Sequence, residues 1–185
     1  TVAEWLKERK LDAAVIAALD SVAWLLNIRG SDVERTPVTL SYIIAHADGT
    51  AELFIAPEKV TPQVAAHLGN AVKLRPEAAF VPALEAMKGR RVAADPANCV
   101  AGIFAALERA GAEIVEATDP CVLPKAIKNP VEQAGHRAAQ ARDGAAVARF
   151  LHWLSVAAPK GGVTEIDAAE RLHAFRREGG ALRDL

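Results

Sequence analysis

"TLSYIIAHADGTAELFI", residues 39–55, decides what kind of sheet this chain builds. Two runs rich in β-branched and aromatic residues, Thr39 to Ala45 and Ala51 to Ile55, flank Asp48-Gly49. That pattern predicts a hairpin closed by a primed turn. Downstream, the texture alternates: helix over 61–69, strand 71–75, helix 77–88, strand 90–94, helix 97–110, strand 113–117. Pro62, Pro76, Pro96 and Pro120 fall near the joins, where a missing N–H is tolerated. Gly89 and Gly111 fall just past helices, as C-terminal stops do. Upstream, TVAEWLKERK reads as a short helix with Thr1 as its cap. Leu11 to Ala18 is an apolar run broken only by Asp12, the mark of a strand buried on both faces. Ser21 to Ile28 reads as a short helix stopped by Gly30. One hairpin set in a strand–helix alternation predicts an α/β domain with a mixed sheet flanked by helices.

Beyond Pro120 the texture changes. Residues 121–128 read as one or two helical turns interrupted at Pro124, and from Pro130 to about Ala158 only Gly135 and Gly144 weaken a long helix. Ala134, Ala138, Ala141, Ala145 and Ala148 recur on one face, which suits close approach to a neighbour. Thr164 caps a further helix, whose expected buried stripe is Ile166, Ala169, Leu172 and Phe175. The chain therefore divides into an α/β domain, 1–126, and a helical pair, 127–185, that belongs to something else.

Of the 185 residues about half are hydrophobic (51%), enough for a sizeable core. With 22 basic and 23 acidic residues, the net charge is −1, and no Lys/Arg-rich run occurs. Neither nucleic acid nor an anionic membrane surface is an expected partner. No apolar stretch is long enough to span a bilayer, and no signal peptide is visible in the first ten residues, which carry Glu4, Lys7, Glu8, Arg9 and Lys10. Two cysteines, Cys99 and Cys121, suggest free thiols in a reducing compartment. The chain opens at Thr1 without Met and closes on ALRDL, so it is expected to be an excised piece of a longer protein.

Chemistry-bearing motifs are sparse. GxGxxG, GxxxxGK[ST], GxSxG and HExxH are absent. His136 and Asp143 lie seven residues apart on one helix, a weak metal pairing against the commoner reading as surface or interface residues. His46, beside the hairpin turn, reads as solvated. Cys99, near a helix start, could carry a lowered pKa; an inert, half-buried thiol is the commoner outcome. What stands out is NIRGSDVERTP, residues 27–37, a charged, turn-rich loop between two apolar runs. Arg29 can fork onto a carboxylate, and Asp32 can accept a terminal ammonium. The structural alternative is an Arg29–Asp32 pair that holds the loop.

The stretch AWLLNIRGSDVERTPVTLSYIIAHADGTAELFI (23–55) resembles the middle domain of Xaa-Pro aminopeptidases of the long, three-domain form. The resemblance continues through LPKAIKNPVE (123–132), RDGAAVARFLHWL (142–154) and KGGVTEIDAAERLHAFRRE (160–178). It implies a creatinase/prolidase N-terminal-type domain, followed by the first helices of a "pita-bread" catalytic domain. Such enzymes, similar to creatinase and prolidase in layout, remove the first residue of peptides whose second residue is proline. They use two divalent metal ions, usually manganese, held by two Asp, one His and two Glu. None of those ligands has a counterpart among residues 1–185, so the resemblance implies no cofactor and no catalytic residue in this chain itself. It implies a cytoplasmic parent, the catalytic domain as partner and a homodimer. It also implies that the end of this helix and its loop face the catalytic cleft or a partner subunit, which makes Arg29, Gly30, Ser31 and Asp32 candidates for shaping a substrate entrance. A stand-alone binding or scaffold module, a creatinase- or prolidase-type relative and a small-molecule-binding α/β domain are the alternatives.

Overall fold

The computed structural model describes residues 1–182; residues 183–185, the last of the expected helical unit, lie outside the described residues. The chain separates into two compact units, Thr1–Ile127 and a second beginning at Lys128.

The first unit runs α1 (Val2–Glu8), β1 (Ala13–Ile16), α2 (Leu19–Leu25), β2 (Ser41–His46), β3 (Ala51–Ile55), α3 (Pro62–Leu68), β4 (Val72–Arg75), α4 (Phe80–Glu85), β5 (Arg91–Ala94), α5 (Ala101–Ala110), β6 (Glu113–Glu116) and α6 (Val122–Ala126). Its six strands form one mixed sheet in the order β4-β3-β2-β1-β5-β6. β2 is antiparallel to both β1 and β3, while β3–β4, β1–β5 and β5–β6 are parallel. The apolar run at 13–16 sits at the centre and is buried on both faces, as its composition requires. Ala13 and Val15 face one way, joining Ile44, Phe54 and Val92 beneath Phe80 and Leu84 of α4 and Ile103 and Leu107 of α5. Ile16 faces the other way, with Ile43, Leu53 and Ile55, against Val22 of α2, Ile28, Leu68 of α3 and Cys121. Leu84 and Leu107 are fully buried, each worth about 1.5–3 kcal/mol relative to exposure. Thr1 caps α1 as expected, accepting from the Glu4 amide at 3.2 Å.

Three local expectations are corrected. The hairpin turn is not primed: the loop is three residues, closed by His46 N donating to Thr50 O, and only Gly49 takes a positive φ (94°). Asp48 Oδ1 accepts from the Thr50 amide and hydroxyl, which stabilises this longer loop. The helix expected over 77–88 is a 3-10 turn at Glu77–Ala79 followed by the short α4. The helix expected from 97 begins at Ala101, because the buried Asp95 folds the preceding chain into a turn around its carboxylate.

The second unit is a helical pair, α7 (Pro130–Ala157) and α8 (Glu165–Glu178). Asn129 and Thr164 supply capping boxes at the two starts. Asp143 takes two bonds from Arg176, at 2.6 and 3.1 Å, and Arg149 pairs with Glu178. The Arg149 and Arg171 guanidinium groups stack on Phe175 at 4.5 and 4.6 Å. Among the described residues of this unit only Ala146 and Phe175 are buried. The expected α8 stripe therefore fails at Ile166, which is 70% exposed, and at Ala169, and the alanine stripe of α7 is exposed as well. An apolar face becomes core only against a partner, and two helices alone cannot enclose one.

Candidate functional site

The loop after α2 is built by closing off a helix end. Asn27 adopts a left-handed conformation (φ 49°), and the Ile28 amide bonds back to Ala23 O. Arg29 Nη1 donates to Ala23 O at 3.0 Å and to Ile28 O at 2.8 Å, so the guanidinium ties the last turn of α2 to the loop that follows it. His67 Nε2 lies 2.9 Å from Leu26 O and serves the same helix end. Gly30 follows at a crossing with the returning chain. A Cβ there would lie 2.7 Å from Thr39 Cβ and 2.9 Å from Val38 O, so only glycine fits.

Asp32 then closes the loop. Its Oδ2 accepts from Lys59 Nζ at 2.7 Å, the Leu40 amide at 2.7 Å and the Thr39 hydroxyl at 2.9 Å. The Lys59 ammonium first, then the Leu40 amide and the Thr39 hydroxyl, hold the Asp32 carboxyl down at about 2, against the smaller opposing effect of burial. Beyond it, Val33 and Thr36 form an isolated bridge around Glu34 and Arg35, which form the exposed tip.

Arg29 and Asp32 thus both stabilise the loop, but not as a pair: each has its own partners. Ser31 stands between them, exposed and without a hydrogen bond among the described residues. Trp24 is half-buried and packs on the core cluster below. Lys59, Thr39 and Leu40 are the members that sequence reading missed. Lys59 lies 27 residues on, in the 3-10 turn Pro57–Lys59 after β3, and nothing in its local pattern marks its partner.

The remaining candidates resolve differently. His46 is not simply solvated; its Nε2 lies 3.5 Å from Glu52, which also faces Arg75 at 3.6 Å. Asp143, bound by Arg176, is not available to a metal beside His136. Burial pushes the Cys99 thiol up, so the lowered-pKa reading fails; burial and the Asp119 carboxylate push Cys121 up to about 12. Among the described residues no three His, Cys, Asp or Glu side chains gather where they could hold a metal ion. The residues present do not fit a dinuclear centre.

Sheet order, loop and helical pair together define a class. The creatinase/prolidase N-terminal domain matches residues 1–132, and the chain belongs to that family. Within it, the chain is 38% identical over 181 residues to an Aspergillus clavatus protein named Probable Xaa-Pro aminopeptidase P, across 92% of this chain and 27% of that one. It superposes on the X-prolyl aminopeptidase of Caenorhabditis elegans, a cytosolic enzyme with a di-nuclear active site, with TM-score 0.83 and 31% identity. That match covers 95% of this chain and 30% of the other. The Thermotoga maritima X-Pro aminopeptidase shares the fold, at TM-score 0.68 and 16% identity over 97% of this chain and 49% of that one. The chain spans less than a third of the length of the first two relatives. No helix among the described residues is long and apolar enough to cross a membrane.

Proposed function

We propose that this chain is the middle α/β domain, 1–126, and the opening helices, 127–185, of a metal-dependent Xaa-Pro aminopeptidase. Its parent removes the residue before proline from peptide N-termini, in the cytoplasm, as a homodimer, with two metal ions, manganese by preference. This part is non-catalytic: it limits access to short, unstructured peptides, and the 29–32 loop edges the entrance. Arg29 and Asp32 act there as braces, and Ser31 as the side chain left to meet substrate. The likeness to the nematode enzyme over 95% of the chain carries the reading.

The test is to follow the reading frame past the codon for Leu185 and assay its full product on Xaa-Pro peptides with and without Mn²⁺. The expected result is a downstream segment with two Asp, one His and two Glu as ligands, and activity that the 185-residue chain alone lacks. A stop codon at once, or full activity from the chain alone, overturns the proposal.

A further inference from the structure

Glycine follows aspartate at two places in the chain, Asp48-Gly49 and Asp143-Gly144, and never follows asparagine. An aspartyl side-chain carbon can be attacked by the main-chain nitrogen of the next residue, and a side chain on that residue crowds the attack. Glycine carries no side chain, so these two bonds are the most open to it. After Asp95 and Asp119 comes proline, which has no N–H to lose. By sequence the two Asp-Gly bonds rank equally. The structure separates them.

Asp143 and Gly144 lie inside α7, where the helix fixes the dihedrals and commits the Gly144 amide to the preceding turn. Arg176 grips both Asp143 carboxylate oxygens, at 2.6 and 3.1 Å. Ring closure there requires the helix to open and an ion pair to break. Asp48 and Gly49 instead sit in the exposed three-residue loop between β2 and β3. The Gly49 amide donates to the His46 carbonyl at 3.1 Å, and a Cβ built on Gly49 would meet nothing within 4 Å. One device holds this site. The Thr50 amide and hydroxyl donate to Asp48 Oδ1 at 2.8 and 2.7 Å. The hydroxyl first, then the amide, hold the Asp48 carboxyl below its ordinary value and so keep it ionised, and an ionised carboxylate is a poor target for a nucleophile.

We propose that Asp48-Gly49 is a site of spontaneous isomerisation to isoaspartate, with Thr50 as its guard. The Gly49 nitrogen bonds to Cγ of the protonated Asp48 carboxyl, the Cγ–OH bond breaks, and the hydroxyl leaves as water with the proton of that nitrogen. Water then adds to one of the two carbonyls of the cyclic imide. Breaking the N–Cγ bond restores aspartate. Breaking the bond from nitrogen to the Asp48 α-carbonyl carbon routes the main chain through Cβ and Cγ and frees an α-carboxylate. Water is the only other reactant. Isoaspartate adds one main-chain carbon to a loop closed by His46 N and Thr50 O, and it takes the carboxylate off the Thr50 donors. The modification therefore loosens the hairpin that joins β2 to β3. It rests on this geometry alone and is independent of the reading of the parent as a peptidase.

Peptide mapping with electron-transfer fragmentation, which tells isoaspartate from aspartate, tests it on the 185-residue chain aged at body temperature and mildly acidic pH. Isoaspartate is expected at residue 48 about fivefold faster than at residue 143, a moderate contrast because a two-helix unit opens readily. In urea the two sites are expected to react at equal rates, since only the fold separates them. Thr50 is exposed, and Thr50→Val keeps its β-branched shape while removing the hydroxyl. That variant is expected to speed the reaction at residue 48 about fivefold and to leave residue 143 unchanged. Chains carrying isoaspartate at 48 are expected to unfold at lower urea than unmodified ones. No isoaspartate at 48, an equal rate at 143 in the folded chain, or a Thr50→Val rate that is unchanged at 48 or raised at both sites would each overturn the proposal.

Discussion

Asp32 and Lys59, far apart in the chain, meet at 2.7 Å, and this contact ties the loop after α2 to the turn after β3. Both side chains are only partly exposed, at 21% and 28%, so solvent screens the pair less than it would a free surface bridge. Asp32→Ala is expected to cost about 1–3 kcal/mol in urea unfolding, since it also orphans the Leu40 amide and the Thr39 hydroxyl.

The same carboxylate predicts a pH dependence. Its folded pKa, about 2, lies below the ordinary 3.8. The contribution is therefore fully present above pH 3.8 and is lost as pH falls from there toward 2. The stability gap between the wild type and Asp32→Asn should narrow over that window. A gap that stays constant down to pH 2 would show that the carboxylate charge is not what holds the loop.

Gly30→Ala places a methyl group against Thr39 Cβ and Val38 O, neither of which is the far end of a flexible side chain. A loss of about 1–3 kcal/mol is expected. Gly102→Ala, where nothing lies within 4 Å, serves as the control and should be neutral or stabilising in α5.

Cys99 and Cys121 are buried, and both thiols are shifted up. Native protein at pH 8 should therefore react with Ellman's reagent far more slowly than a free thiol, and unfolded protein should release both at once. Rapid labelling of either in the native state would contradict the burial.

The helical pair has its own signature. Val131, Leu151, Val156 and Ile166 are 80%, 56%, 50% and 70% exposed. The 185-residue chain should bind an apolar dye or self-associate at micromolar concentration, by light scattering. Hydrogen exchange should be fast throughout α7 and α8 and slow in β1 and β5. A strictly monomeric chain without dye binding would be the opposite result.

The parts of this fold legible in the sequence are those fixed by neighbours along the chain. The Ala51–Ile55 strand, the apolar run of β1 and the caps at Thr1 and Thr164 all follow from short-range pattern and burial. Long-range partners escape that reading. Asp32 could be singled out as a loop acid, but not its choice of Lys59 over Arg29. Gly30 reads equally well as a helix stop or as a crossing point, and only the position of Thr39 decides. Ile166 was expected in a buried stripe because periodicity reports which face is apolar, not whether anything covers it.

The place of β1 in the sheet sets an order of events during synthesis. Ala13 is paired with His46 on one side and with Val92 on the other. A nascent chain can zip the first seam as soon as β2 leaves the ribosome, whereas the second must wait until β5 is translated. Until then the most apolar strand of the chain has one open edge, and the closure of so large a loop sets the pace of folding. Substitutions that loosen β5 should accordingly show up as poor yield of the newly made chain before they show up as a lower melting point.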